Sequence, residues 1–154
     1  MNEFVDLQYR FRRNAEHEEY MKFLINTSKI FNEYKDVMML SALIGYENES
    51  FQDISKSASD RVLMNFFDAE DLVLIDLMAY AHTKNQNILF GREKYTIFEH
   101  YYNGGFPILL KLLELTEDKL SNKDDESYFK ELSIKLYRII TNYKIAPKES
   151  FEIY

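Results

Sequence analysis

The residues of this 154-residue chain equipped for chemistry are three histidines, a few close carboxylates, one serine in an apolar run and one knot of arginines. The histidines are His17, His82 and His100. No two stand four apart, and none forms a Glu-x-x-His pair facing a second such pair, so zinc and di-iron spacings are missing. His82 falls in the last turn of an expected helix, where a cation or a carbonyl-bonding ring is structurally welcome. Glu70 with Asp71, or Asp71 with Asp76, are the acid pairs suited to acid–base or Mg²⁺ work. Glu70 and Asp71 also stand where a helix should begin, so the helix dipole accounts for them, and Asp76 is expected to face water. Spacing places no base or nucleophile beside them. Ser41 has no Gly-x-Ser-x-Gly context. Gly104-Gly105 lacks the further glycines and preceding strand of a phosphate loop, and reads as a helix end. With Cys 0, thiolate ligands, cysteine nucleophiles and disulfides are excluded, which fits a reducing cytosol. The expectation is a non-enzyme with no catalytic, metal-ligating or cofactor-binding residue.

Binding chemistry is better represented. Arg10, Arg12 and Arg13 interleave with Tyr9 and Phe11, a pattern that clamps phosphate and stacks bases. A formal charge of −7 opposes general nucleic-acid affinity, which depends on neutralising phosphates. A solvated arm, or one pairing with the protein's own acidic surface, is the favoured reading, with local DNA contact the alternative. The run from Glu117 to Glu126 suits either a basic partner or a plain solvated loop.

The elements that must position these residues are mostly helices. Gly 4 and Pro 2 leave few turns. Residues 1–13 alternate apolar and polar positions and read as an extended arm or short strand. A helix is expected from Ala15 to Ile25. The next, from Ile30 to Ile44, carries two apolar stripes and should be the buried central post, with Gly45 as its C′ residue. Tyr46–Ser59 reads as a surface loop, and Arg61–Phe67 as a short strand or a helical turn. Asp68 with Asp71 three residues on predicts an N-cap, opening a helix that runs to Tyr80–Thr83 with Leu72, Ile75, Leu77, Met78 and Ala79 inside. A helix over Arg92–Asn103 should close at Gly104-Gly105, and Pro107 should sit in the first turn of another. Residues 116–127 read as a mobile acidic loop before a last amphipathic helix, Tyr128–Tyr143. The fold predicted is mainly α: a compact single domain over residues 1–154, with five to six helices around a buried central helix and a short β element. The N-terminus lacks the apolar run of a signal peptide, and no apolar stretch is long enough to cross a bilayer, so a cytoplasmic location is expected. Tyr 12 and Phe 12 are many for a small core to hide, which leaves a homo-oligomer open.

Three segments resemble one family. YKDVMMLSALIGYENES (Tyr34–Ser50), LVLIDLMAYAHTKNQNILF (Leu72–Phe90) and FEHYYNGGFPILLKLL (Phe98–Leu113) are similar, in order, to the core of the Dnd system-associated protein 4 family of bacterial DNA-phosphorothioation loci. The resemblance implies a cytosolic accessory or regulatory protein of a phage-defence (antiviral) system, acting by protein–protein interaction with a larger component. It implies no catalytic residue. Tyr34, Lys35, Asp36 and Asn103, from these segments, are the candidate partner surface. Two rival functions remain at this point. A DNA-binding transcriptional regulator needs a helix-turn-helix with a basic second helix, and the helices here are acidic or buried. A metal-dependent nuclease subunit would use Asp and Glu with Mg²⁺.

Overall fold

A computed structural model describes residues 4–145. The protein is mainly α, as the low glycine and proline content implies. In chain order the elements are β1 (Arg10–Phe11), α1 (Glu18–Lys22), α2 (Tyr34–Glu47), β2 (Val62–Leu63), α3 (Ala69–Thr83), α4 (Glu93–Leu113) and α5 (Glu126–Ile140). Single tight turns of 3₁₀ or π type flank them, including Ala15–His17, Phe23–Thr27, Met64–Phe66 and Glu117–Ser121. The arm does form a short strand: β1 pairs antiparallel with β2, Arg10 opposite Leu63 and Phe11 opposite Val62. The stretch Arg61–Phe67 thus supplies both the strand and the helical turn that its sequence left open.

α4, not the Tyr34–Glu47 helix alone, is the central post. Its 21 residues include the buried Tyr95, Phe98, Tyr102, Phe106, Leu109 and Leu113. The expected break at Gly104-Gly105 does not occur, and Pro107 lies inside the helix rather than opening a new one. Gly45 likewise lies inside α2, not beyond its end. The reason is the crossing of these two helices. A Cβ added to Gly45 would stand 2.1 Å from the Tyr101 carbonyl oxygen, and one on Gly105 would stand 1.8 Å from that of Ser41. Here glycine is required for its missing side chain and not for its backbone freedom, and none of the described glycines has positive φ. Helix ends are turned instead by non-glycine residues in the left-handed region: Glu49 (φ 56°), Lys84 (φ 58°) and Glu114 (φ 56°).

Helix starts follow the sequence more closely. The Asp68 Oδ1 accepts from the Asp71 backbone N–H at 3.0 Å, and the Asp71 Oδ2 accepts from the Asp68 N–H at 3.0 Å. This reciprocal pair satisfies two donors that a helix start leaves open. α2 begins at Tyr34, four residues later than expected, with the Asp36 carboxylate accepting from the Glu33 N–H at 3.3 Å. α5 is capped by Asp125, whose side chain accepts from the Tyr128 N–H. The acidic stretch 116–127 is therefore structured in part, by this cap and by the Glu117–Ser121 turn, where Leu120 packs on the core. Within the loop after α2, Ile54 is buried.

Candidate functional site

The arginine knot does not converge on one surface. Arg10 is exposed on β1. Arg12 turns towards Glu99 of α4, whose side chain is fully buried: the Arg12 backbone N–H and Nε donate to its carboxylate at 2.8 and 3.1 Å, and the Tyr9 hydroxyl donates at 2.8 Å. A carboxylate taken out of water costs several kcal/mol unless paired, roughly the penalty a buried ion carries. These three donors offset it. Burial, then the charge and hydrogen bond of Glu99, raise the Tyr9 pKa, so that hydroxyl keeps its proton. Arg13 is only 1% exposed, ion-pairs with Glu18 and lies 4.3 Å above the Tyr34 ring. A clamp of Arg10, Arg12 and Arg13 on nucleic acid is thus not assembled; two of the three guanidiniums hold the arm to the helical body.

The candidate partner residues also separate. Asn103 is buried, joining Asn14 (2.8 Å) to the carbonyls of Gln52 (3.2 Å) and Asp53 (2.9 Å). Tyr34 lies under Arg13. Lys35 and Asp36 do stand together, on the wall of a groove between α2, α3 and α5. There the Lys35 ammonium meets Asp71 at 2.6 Å, Asp68 at 3.5 Å and Asp36 at 3.7 Å. Burial lowers the Lys35 pKa, but the Asp71 hydrogen bond and the three negative charges outweigh it and raise the net value.

The histidines have structural partners. His17 packs against the rings of Phe106 and Tyr102, and burial pulls its pKa down to about 4. His82 Nδ1 is 2.7 Å from the Tyr101 hydroxyl, and its ring stacks on Phe51 at 4.5 Å. His100 Nε2 lies 3.1 Å from Asp53. Among the described residues no group of His, Asp and Glu is arranged to hold a metal ion. Asp76 does not face water: it pairs at 2.9 Å with Lys94, which is buried and also donates to the carbonyls of Phe4 and Leu89. Glu99 and Lys94 were the residues that spacing missed, because Tyr9 and Arg12 on the one, and Asp76 and Phe4 on the other, lie far away in sequence.

An open apolar surface lies on α3. Val73 and Leu77 are 56% and 57% exposed, and Tyr80 and Leu74 are exposed beside them. Leu77, expected inside, points out. Positions 73, 77 and 80 share one side of a helix, so these residues form a continuous apolar ridge. It borders the groove of about 440 Å³, whose lining includes Met39, Leu43, Leu74, Met78 and Ile140.

A family model described as DNA sulphur modification system-associated protein 4 matches residues 10–130. The chain belongs to that family. The match reaches beyond the three resembling segments, taking in β1 and the acidic stretch 116–127. The family name ties the protein to a DNA sulphur modification system. No match was found among curated proteins or among solved structures. No helix of the described residues is long and apolar enough to cross a membrane.

Proposed function

We propose that this protein is a non-catalytic accessory or regulatory subunit of a bacterial DNA-phosphorothioation system linked to phage defence, acting in the cytoplasm by binding a larger protein component of that system. The observation that carries the reading is the apolar ridge of Val73, Leu77 and Tyr80 on α3. Exposed apolar surface beside a groove is the usual mark of a protein-binding face. Family membership names the system in which to seek the partner. The interior use of Arg12, Arg13, Glu99 and Lys94 fits a rigid body that presents a surface.

A tagged pull-down from the native host, with and without nuclease, tests this. The expected result is a defined protein that survives nuclease and is lost with Leu77→Asp. Recovery of nucleic acid alone, lost with nuclease or on substituting Arg10, would overturn it in favour of a direct DNA binder.

A further inference from the structure

We infer that the groove between α2, α3 and α5 docks a basic amphipathic helix contributed by the larger protein partner. This deepens the accessory reading above and rests on it.

The floor is apolar. Met39 and Leu43 come from α2, Leu74 and Met78 from α3, and Ile140 from α5. Methionine is the side chain best suited to adapt to another surface, because it is unbranched and polarizable. Leu74 is 41% exposed at the lip, so the groove runs without a break onto the α3 ridge. The charge around this floor is mainly negative. Of the charged groups lining it, four are carboxylates (Asp36, Asp68, Glu70 and Asp71) and one is the ammonium of Lys35. Lys35 is already engaged with Asp71 and Asp68. The surplus is negative, on a chain of net charge −7.

That combination selects the occupant. Nucleic acid would set phosphates against carboxylates. A second copy packed groove to groove would bring two linings of the same negative surplus together, because a two-fold interface uses the same patch on both copies. A segment with lysines or arginines flanking apolar residues satisfies both features. The groove is walled by α2, α3 and α5, whose backbone groups bond within themselves, and by the bend of residues 30–32; no lining residue belongs to a strand. Recognition must then run through side chains, as it does when an amphipathic helix lies in a groove.

The probe is a fluorescein-labelled 18-residue helical peptide with Leu at i, i+3, i+4 and i+7 spacing and Lys elsewhere; a second peptide carries Glu in place of Lys. Fluorescence anisotropy with the full chain should show binding of the Lys peptide and not the Glu peptide. Leu74→Asp should weaken it about tenfold, and Glu70→Lys about threefold. Both positions are exposed, so the fold should persist, and circular dichroism verifies it. Leu112→Asp, on exposed α4 surface outside the groove, should bind like wild type. No binding, or binding unchanged by Leu74→Asp, overturns the inference. So does wild-type dimerisation that Leu74→Asp abolishes, which would make a second copy the occupant. The host pull-down separates the two readings. A nuclease-resistant partner retained by the Leu74→Asp, Glu70→Lys double variant sinks the groove and leaves the accessory role standing. The absence of any protein partner with the wild type removes both.

Discussion

Gly105→Ala decides between two meanings of the same residue. In an ordinary helix interior this substitution stabilises by about 1 kcal/mol, because alanine loses less backbone entropy than glycine. At Gly105 the new methyl would lie 1.8 Å from the Ser41 carbonyl oxygen, 2.6 Å from the Gly45 nitrogen and 2.9 Å from the Ser41 carbonyl carbon. All three are backbone atoms of α2, so no side chain can rotate away. Ordinary contact requires the helices to part by roughly 1.5 Å, which loosens packing along the seam where each buries most of its apolar face. Overpacking costs typically 1–3 kcal/mol and more where backbone must move. We expect a net loss of about 3 kcal/mol, or roughly 6–12 °C in Tm for a chain of this size. Urea unfolding followed by circular dichroism measures it. Gly91→Ala is the control: nothing lies within 4 Å of its added Cβ, so that variant should match or slightly exceed the wild type. A Gly105→Ala protein as stable as the wild type would refute the close-crossing account.

Two further predictions test the helix ends and the half-buried His17. Lys84 closes α3 at φ 58° with its N–H donating to the Tyr80 carbonyl at 2.7 Å; Lys84→Gly should stabilise by about 0.5–1 kcal/mol and Lys84→Ala should not, as urea midpoints would show, and a loss with glycine would contradict the left-handed cap. His17 has a folded pKa of about 4 against an ordinary 6.5, so the unfolded chain binds the extra proton and stability falls as pH drops through that window. The loss between pH 7.5 and pH 5 should be about 2 kcal/mol. His17→Phe, which keeps the ring against Phe106, should flatten the profile of urea midpoints over that range, and a variant that keeps the full slope would assign it to other groups.

The start of α3 was legible because capping is local: Asp68 and Asp71 are three residues apart, and the chemistry of the cap lies entirely within that spacing. The ends were misread because glycine has two uses. It accepts positive φ, and it lets backbones approach. Sequence patterning suggested the first at Gly45 and Gly104-Gly105, and the crossing of α2 with α4 uses the second. The small residues Ser41 and Gly45, four apart on one helix face, were the available signal. The polar interior was hidden for a different reason. Glu99 sits among Phe98, Tyr101 and Tyr102, where a lone carboxylate needs a cation, but its partners Tyr9 and Arg12 are 90 and 87 residues away. Spacing is blind at that range.

The same blindness explains why the exposed apolar face of α3 went unseen while the chemistry-bearing residues drew attention. Periodicity sends every apolar residue inward, and α3 is apolar on more than one side, so Leu77 was placed in the core. The core is closed instead by Ile75, Met78 and Ala79 of that helix, packed towards α4. Val73, Leu77 and Tyr80 then have no neighbouring helix of the described chain covering them. Meanwhile Arg12 and Arg13, which a sequence reading offers to phosphate or solvent, are held by Glu99 and Glu18, and Lys94 is held by Asp76. Charge has gone inside, where it locks the arm and the helices in one arrangement, and hydrophobic surface has been left out. That inversion costs free energy in the isolated protein, and it is what a second protein covering α3 would recover.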